Sequence, residues 1–359
     1  MSHDTIFTTD HAWPDPATDV AATALVVQPE LDDFLTRHRL ADAGEPRRWT
    51  PLTGGVSSDI WRVDLGSDSR SARTLCVKRA LAQLKVAAEW KAPVSRNAFE
   101  WAWIRFASEI LPDAVPQPLA HDAAAGLFAM GFLDPADHPV WKQQLLAGHV
   151  EPATAVAVGR ALGVLHGASA HSTDLATAFD TGENFHALRL EPYLLATGRR
   201  HPDLAVALTG LAQRTAARRT ALVHGDVSPK NILVGPTGPV LLDAECAWYG
   251  DPAFDVAFCL NHLLLKRLVH PECAQGLHAS FTGFVEAYFD LATFEDRVAL
   301  ESRAAQLLPA LCLARVDGKS PVEYLTHEAE RDLVRAFAIP LIRRPVPSLE
   351  HIASDWFHR

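Results

Sequence analysis

The spacing of apolar residues changes period along this chain, and each change marks a new element. After an opening stretch of Pro, Asp, Thr and Ala with no period, residues 29–39 carry Leu31, Phe34 and Leu35 on one helical face. The pattern then shortens to the alternation of strands: residues 47–52, then Ile60-Trp61-Arg62-Val63-Asp64-Leu65, then Leu75-Cys76-Val77-Lys78. The turn Thr53-Gly54-Gly55 parts the first two, so the segment predicts a small antiparallel sheet of three strands. Over residues 95–111 the period lengthens again, with Phe99, Trp103, Phe106 and Ile110 on one face of a helix, Ser95 as its N-cap and Pro112, Pro116 and Pro118 past its end. Residues 127–133 predict a further strand, and Asp134-Pro135 a lobe boundary.

Beyond that boundary the helical period dominates, with helices predicted over residues 152–169, 253–269, 276–290, 295–315 and 321–337. Residues 221–243 are the exception. There Ala221-Leu222-Val223 runs into a polar loop, and Ile232-Leu233-Val234 and Val240-Leu241-Leu242 flank a Gly235-Pro236-Thr237-Gly238 hairpin turn. The expectation is an α+β chain: an arm over residues 1–27, a β-rich N-lobe with a hinge over 28–133, and a helical C-lobe over 134–359.

Composition narrows the function. The 359 residues are 48% hydrophobic and 21% charged, as in a globular chain. Lys and Arg number 33 against 43 Asp and Glu, a net charge of −10, which argues against nucleic acid as a partner because phosphate backbones need a basic face. No apolar run reaches the roughly 20 residues of a membrane helix, and the N-terminus lacks the pattern of a secretory signal. The five cysteines show no C-x-x-C spacing, so neither a disulfide scaffold nor a cysteine zinc site is expected. The chain reads as cytoplasmic, with its oligomeric state open.

The chemistry concentrates in Val223-His224-Gly225-Asp226-Val227-Ser228-Pro229-Lys230-Asn231. Asp226 and Asn231 stand five apart, a spacing that lets a carboxylate orient a hydroxyl and an amide oxygen hold Mg²⁺. Asp243 follows the hairpin, where a second metal-binding carboxylate would sit. Lys78 closes the third strand, and Glu100 on the next helix is its candidate ion-pair partner, with Glu109 two turns further along as the rival. His224 reads as a brace for the loop backbone, and Asp255, opening an apolar helix, as an N-cap.

These residues carry a resemblance. His224-Gly225-Asp226…Asn231, then Asp243-Ala244-Glu245 and Gly250-Asp251-Pro252…Asp255, resemble the aminoglycoside phosphotransferase and choline kinase group of small-molecule kinases, over about residues 49–325. Lys78-Arg79-Ala80-Leu81…Lys85…Trp90, Met130-Gly131-Phe132-Leu133, Trp141…Gly148 and Asp243-Ala244-Glu245 are similar to its methylthioribose kinase branch, which usually lacks the asparagine found here at Asn231. The resemblance implies a bilobal protein-kinase-like fold and ATP- and Mg²⁺-dependent phosphorylation of a small-molecule hydroxyl. Asp226 would be the catalytic base, Asn231 and Asp243 metal ligands, and Glu245 a metal ligand or substrate contact. Lys78, Glu100, the loop residues Gly54, Gly55, Ser57 and Ser58, and the hinge residues Met130 and Phe132 would bind the nucleotide. Arg315 would lie near the substrate, and Asp255 would support the catalytic loop. The acceptor expected is a sugar or polyol; a cationic acceptor such as choline or an aminoglycoside, or a pseudokinase without turnover, are the alternatives.

Overall fold

The computed structural model describes residues 29–52, 58–66, 73–81 and 96–358. Contacts between residues divide the chain into two compact units, one running to Arg105 and including Pro116–Leu133, the other comprising Phe106–Val115 and everything from Asp134.

The first unit begins with helix α1 (Pro29–Arg37), followed by strands β1 (Arg47–Leu52), β2 (Ser58–Leu65) and β3 (Arg73–Ala80), helix α2 (Arg96–Ile110), and strands β4 (Pro118–Asp122) and β5 (Leu127–Gly131). The strands form one sheet in the order β1-β2-β3-β5-β4, every pairing antiparallel. The alternation of β2 turns Trp61, Val63 and Leu65 inward, where they meet Leu31, Phe34 and Leu35 of α1 and Val77, Leu127 and Ala129. To the three strands expected in this sheet are added β5, the further strand predicted over residues 127–133, and β4, which was not predicted. Strand β4 was hidden behind its proline, yet Pro118 is its first residue, where a missing N–H is tolerated. The expected face of α2 is also corrected. Its buried residues include Glu100, Trp103, Ile104 and Ala107, whereas Ile110 is exposed, because the inward face includes a charge that a search for apolar residues passes over. Trp101 packs its ring on His121 and Phe128.

The second unit is mainly helical. It contains α3 (Trp141–Leu146), α4 (Pro152–Ser169), α5 (Thr173–Ala178), α6 (Gly182–Phe185), a π-helical segment (His186–Leu195), α7 (Ala196–Arg200) and α8 (Ala205–Ala217). Strands β6 (Ala221–Val223), β7 (Ile232–Gly235), β8 (Gly238–Leu241) and β9 (Trp248–Gly250) come next, β6 pairing with β9 and β7 with β8. Helices α9 (Ala253–Val269), α10 (Ala274–Phe289), α11 (Arg297–Asp317), α12 (Glu328–Arg343) and α13 (Leu349–Phe357) complete it. Helix α9 is buried on all sides from Ala253 to Lys266, which makes it the axis of the unit. Helices α4 and α10 approach closely at Gly159, where a Cβ would lie 2.4 Å from the Phe284 carbonyl oxygen. The helix expected over 321–337 starts only at Glu328, because the chain before it folds back and the Val322 N–H donates to the Arg315 carbonyl. Among the described residues no helix is long and apolar enough to cross a membrane.

Candidate active site

Strand β6 delivers the chain into His224-Gly225-Asp226. Gly225 has a φ of +80°, and a Cβ there would stand 2.6 Å from the Cys246 carbonyl oxygen, so no other residue fits. The turn is held from below by Asp255, whose side chain is fully buried. Its Oδ2 accepts the His224 N–H at 2.7 Å and its Oδ1 the Gly225 N–H at 2.9 Å. The N-cap of α9 is Pro252, so Asp255 is not the cap its position suggested; it spends both oxygens on the His224-Gly225 turn, the support that the resemblance implied, with His166 Nε2 3.3 Å from Oδ2. His224 Nδ1 accepts the Asp226 N–H, so the ring proton is on Nε2, which donates to the Leu242 carbonyl. Burial holds its pKa below the usual histidine value, consistent with a neutral brace.

Asp226 is 3% exposed, and two cations meet on one of its oxygens: Arg189 Nη2 lies 2.8 Å and Lys230 Nζ 3.2 Å from Oδ2. Arg189 also donates from Nε to the Gly225 carbonyl at 2.6 Å, tying the carboxylate to its own loop. Burial works most strongly against the charge on Asp226, and nearby Asp243 opposes it too. Arg189 and Lys230 outweigh both and hold the carboxyl below the usual range. Oδ1 accepts no hydrogen bond among the described residues, which leaves it for an incoming hydroxyl. The sequence reading missed Arg189. It lies in the π-helical segment beside Pro192, where no 3.6-residue period exists to show an inward face.

Asn231 donates from Nδ2 to the Asp226 carbonyl at 3.1 Å, which fixes the amide and leaves Oδ1 without a partner among the described residues. Its carbonyl accepts the Leu242 N–H at 2.9 Å, so the β7–β8 hairpin returns the chain to Asn231 just before Asp243. Asp243 has a φ of +66°, the left-handed region that a non-glycine residue rarely adopts and that recurs at functional sites. The Glu245 carbonyl accepts from Asn184 Nδ2. Together these residues offer an amide oxygen and carboxylates, the donor set that Mg²⁺ takes. A separate group, His270, Glu272 and Cys273, brings three potential ligand atoms within 4.8 Å, but His270 already bonds Glu272 and the Leu146 carbonyl.

In the first unit, Lys78 Nζ lies 2.8 Å from Glu100 Oε1, both side chains being almost fully buried. Sheet register sets Lys78 between Ile60 and Phe128. Glu109, the rival partner, is exposed. Met130 pairs with Cys76 near the end of β5, the Gly131 N–H donates to the Gln117 carbonyl, and Phe132 lies under the Arg62 guanidinium. Ser58 opens β2 and is buried, while Gly54, Gly55 and Ser57 lie outside the described residues, as does Ser95. In the second unit, Arg315 closes α11 and donates from Nη1 to Tyr193 Oη and Ser320 Oγ.

A model of the phosphotransferase enzyme family matches residues 48–297. A methylthioribose kinase of Yersinia pseudotuberculosis is 24% identical over 312 residues, covering 80% of this chain and 75% of that one. Methylthioribose kinase 1 of Oryza sativa is 25% identical over 258 residues, 63% of this chain and 58% of its own. Among solved structures, a choline/ethanolamine kinase family protein from Mesorhizobium loti matches with a TM-score of 0.50 at 16% identity, over 92% of this chain and 98% of that one. At that identity the structural match speaks for the protein-kinase-like fold alone.

Proposed function

The chain belongs to the phosphotransferase enzyme family, and from that premise we propose how its residues move the ATP γ-phosphate to a hydroxyl of a sugar or polyol. Its curated relatives are kinases of a small sugar, which supports a small-molecule kinase. The observation that carries the reading is the state of Asp226: buried, ionised through Arg189 and Lys230, with one oxygen unengaged.

Asp226 Oδ1 accepts the hydrogen bond of the acceptor hydroxyl and takes its proton as the new O–Pγ bond forms and the bond to the ADP oxygen breaks. Arg189 keeps that carboxylate charged and pointed, through its second bond to the Gly225 carbonyl. Lys78, held by Glu100, presents its ammonium to the α- and β-phosphates. The backbone at Met130 and Phe132 hydrogen-bonds the adenine, and Gly54, Gly55, Ser57 and Ser58 cover the phosphates. Asn231 Oδ1 and the carboxylates of Asp243 and Glu245 are the donors that would hold Mg²⁺, which when bound neutralises charge on the β- and γ-phosphate oxygens. The protein contributes positioning and fixed charge rather than covalent chemistry.

The test is ADP release, with mass detection of product, across a panel of sugars, polyols, choline and an aminoglycoside. Stoichiometric phosphorylation of a sugar or polyol is expected. ADP at background with every acceptor, despite nucleotide binding, would make the protein a non-catalytic module, and turnover of cationic acceptors alone would replace the acceptor class.

A further inference from the structure

Near Asp226 the second unit holds two cations, Lys266 and Arg315, that form no ion pair among the described residues. His262 and Lys266 are one turn apart on α9, and both are buried. Lys266 is 1% exposed, yet it makes no hydrogen bond or ion pair among the described residues, its Nζ lying 3.5 Å from the ring centroid of Tyr324. A buried ammonium without a carboxylate is costly, and burial, with Lys142 adding to it, pushes its pKa well below the usual lysine value. Two further donors nearby are buried without partners: Tyr324 Oη and Arg315 Nε. Among the described residues the carboxylate that acts on Lys266 is Glu323, which is paired with Lys142.

This group is continuous with the catalytic aspartate. The guanidinium carbons of Arg189 and Arg315 lie 5.9 and 5.7 Å from the centre of the same Tyr193 ring, and Arg315 donates to its hydroxyl. Lys230, which touches Asp226, is also close enough to act on His262, alongside Arg315, Lys266 and Lys142. Exposure rises from buried Lys266 and His262, through partly exposed Arg315 and Tyr324, to half-exposed Lys230. The aromatic rings here already face cations, so they offer no cage to an ammonium, and a neutral polyol would leave Lys266 uncompensated.

We propose that the acceptor carries an anionic group, a carboxylate or a phosphate ester, which Lys266, Arg315 and Tyr324 bind while Asp226 takes its hydroxyl. The reaction is that of the kinase reading above; the charge of the acceptor is the addition.

The test separates the two. The full chain, saturated with ADP, is titrated calorimetrically with D-glycerate, with inorganic phosphate, and with glycerol as the uncharged control. Binding of D-glycerate or phosphate, and not of glycerol, is expected; whichever anion binds tighter distinguishes a carboxylate from a phosphate ester. Lys266→Met and Arg315→Met should each weaken that binding by about tenfold or more, the worth of a hydrogen bond to a charged group. Lys266→Met removes a buried amine that has no hydrogen-bond or ion-pair partner among the described residues, so its melting temperature should be kept or raised, which separates loss of binding from loss of fold. With ATP, D-glycerate or glycerol 3-phosphate should be phosphorylated with a higher kcat/KM than glycerol. Absence of anion binding, binding that both variants retain, or preferred turnover of uncharged or cationic acceptors would overturn the proposal. Anion binding lost in both variants, with no turnover of any acceptor, would uphold the anion site and remove the kinase reading.

Discussion

Arg189 holds Asp226 by two routes at once, an ion pair to Oδ2 and a hydrogen bond to the carbonyl of the preceding residue, Gly225. One side chain therefore sets both the charge of the carboxylate and the path of its backbone. Removing it should show in the pH dependence of catalysis.

Asp226 must be ionised to accept a proton, and Arg189 is the strongest influence lowering its pKa against burial. With that cation gone, the folded-state pKa rises, and ionisation is lost at a higher pH as the solution is acidified. In Arg189→Met the acid limb of kcat/KM should move to higher pH, and Arg189→Lys should restore part of the shift. Superimposable acid limbs in wild type and Arg189→Met would remove Arg189 from the control of Asp226.

Asp226→Asn should lower kcat by about 10²- to 10⁴-fold, the range for a positioned acid–base group, with nucleotide affinity near wild type. The check is single-turnover phosphoryl transfer beside ADP binding. Wild-type turnover would leave the base unidentified.

The Asp255 carboxylate accepts two buried backbone N–H groups, and an amide in its place can accept at one atom only. Asp255→Asn should cost about 2–3 kcal/mol of stability, the value of one charge-assisted hydrogen bond, and lower kcat as the loop loosens. Chemical denaturation with matched kinetics reads both. A loss of stability with unchanged kcat would make Asp255 a core residue without catalytic bearing.

Lys78 and Glu100 form a buried pair, so deleting one charge strands the other. Lys78→Met and Glu100→Gln should each destabilise by about 3–5 kcal/mol and raise KM for ATP, while the double variant should be less destabilised than the sum. Additive losses in denaturation would show that the two charges are not coupled.

Asp243→Ala should abolish Mg²⁺-dependent activity, and Glu245→Gln should raise the magnesium requirement more mildly. Magnesium titrations of activity check both, and equal curves for wild type and Glu245→Gln would leave Glu245 outside the metal site.

Much of this was legible in the sequence because the signals were local. Helices α4 and α9 run over the residues their apolar spacing predicted, 152–169 and 253–269, and the β7–β8 hairpin declared itself through Gly235 and Gly238. What escaped was non-local or aperiodic. Arg189 reaches the site from a π-helical segment, and the apolar face expected for α2 turned out to be shifted, with Ile110 exposed, although its Glu100 does meet Lys78 as expected. Asp255 marks the boundary: its place in the first turn of α9 suggested a cap, and only the family resemblance implied the support it gives to partners 30 and 31 residues away in the loop.

The hairpin between Asn231 and Asp243 makes their separation in sequence irrelevant to their separation in space. Ile232 is paired with Leu241 and Asn231 with Leu242, so Asn231 and Asp243 stand at the open end and Gly235-Pro236-Thr237-Gly238 at the far one. Residues inserted at that far turn lengthen the ladder or the loop without moving its base. The chain thus has a place where it can grow, acquire a tag or diverge in length while the two ends that matter stay in register.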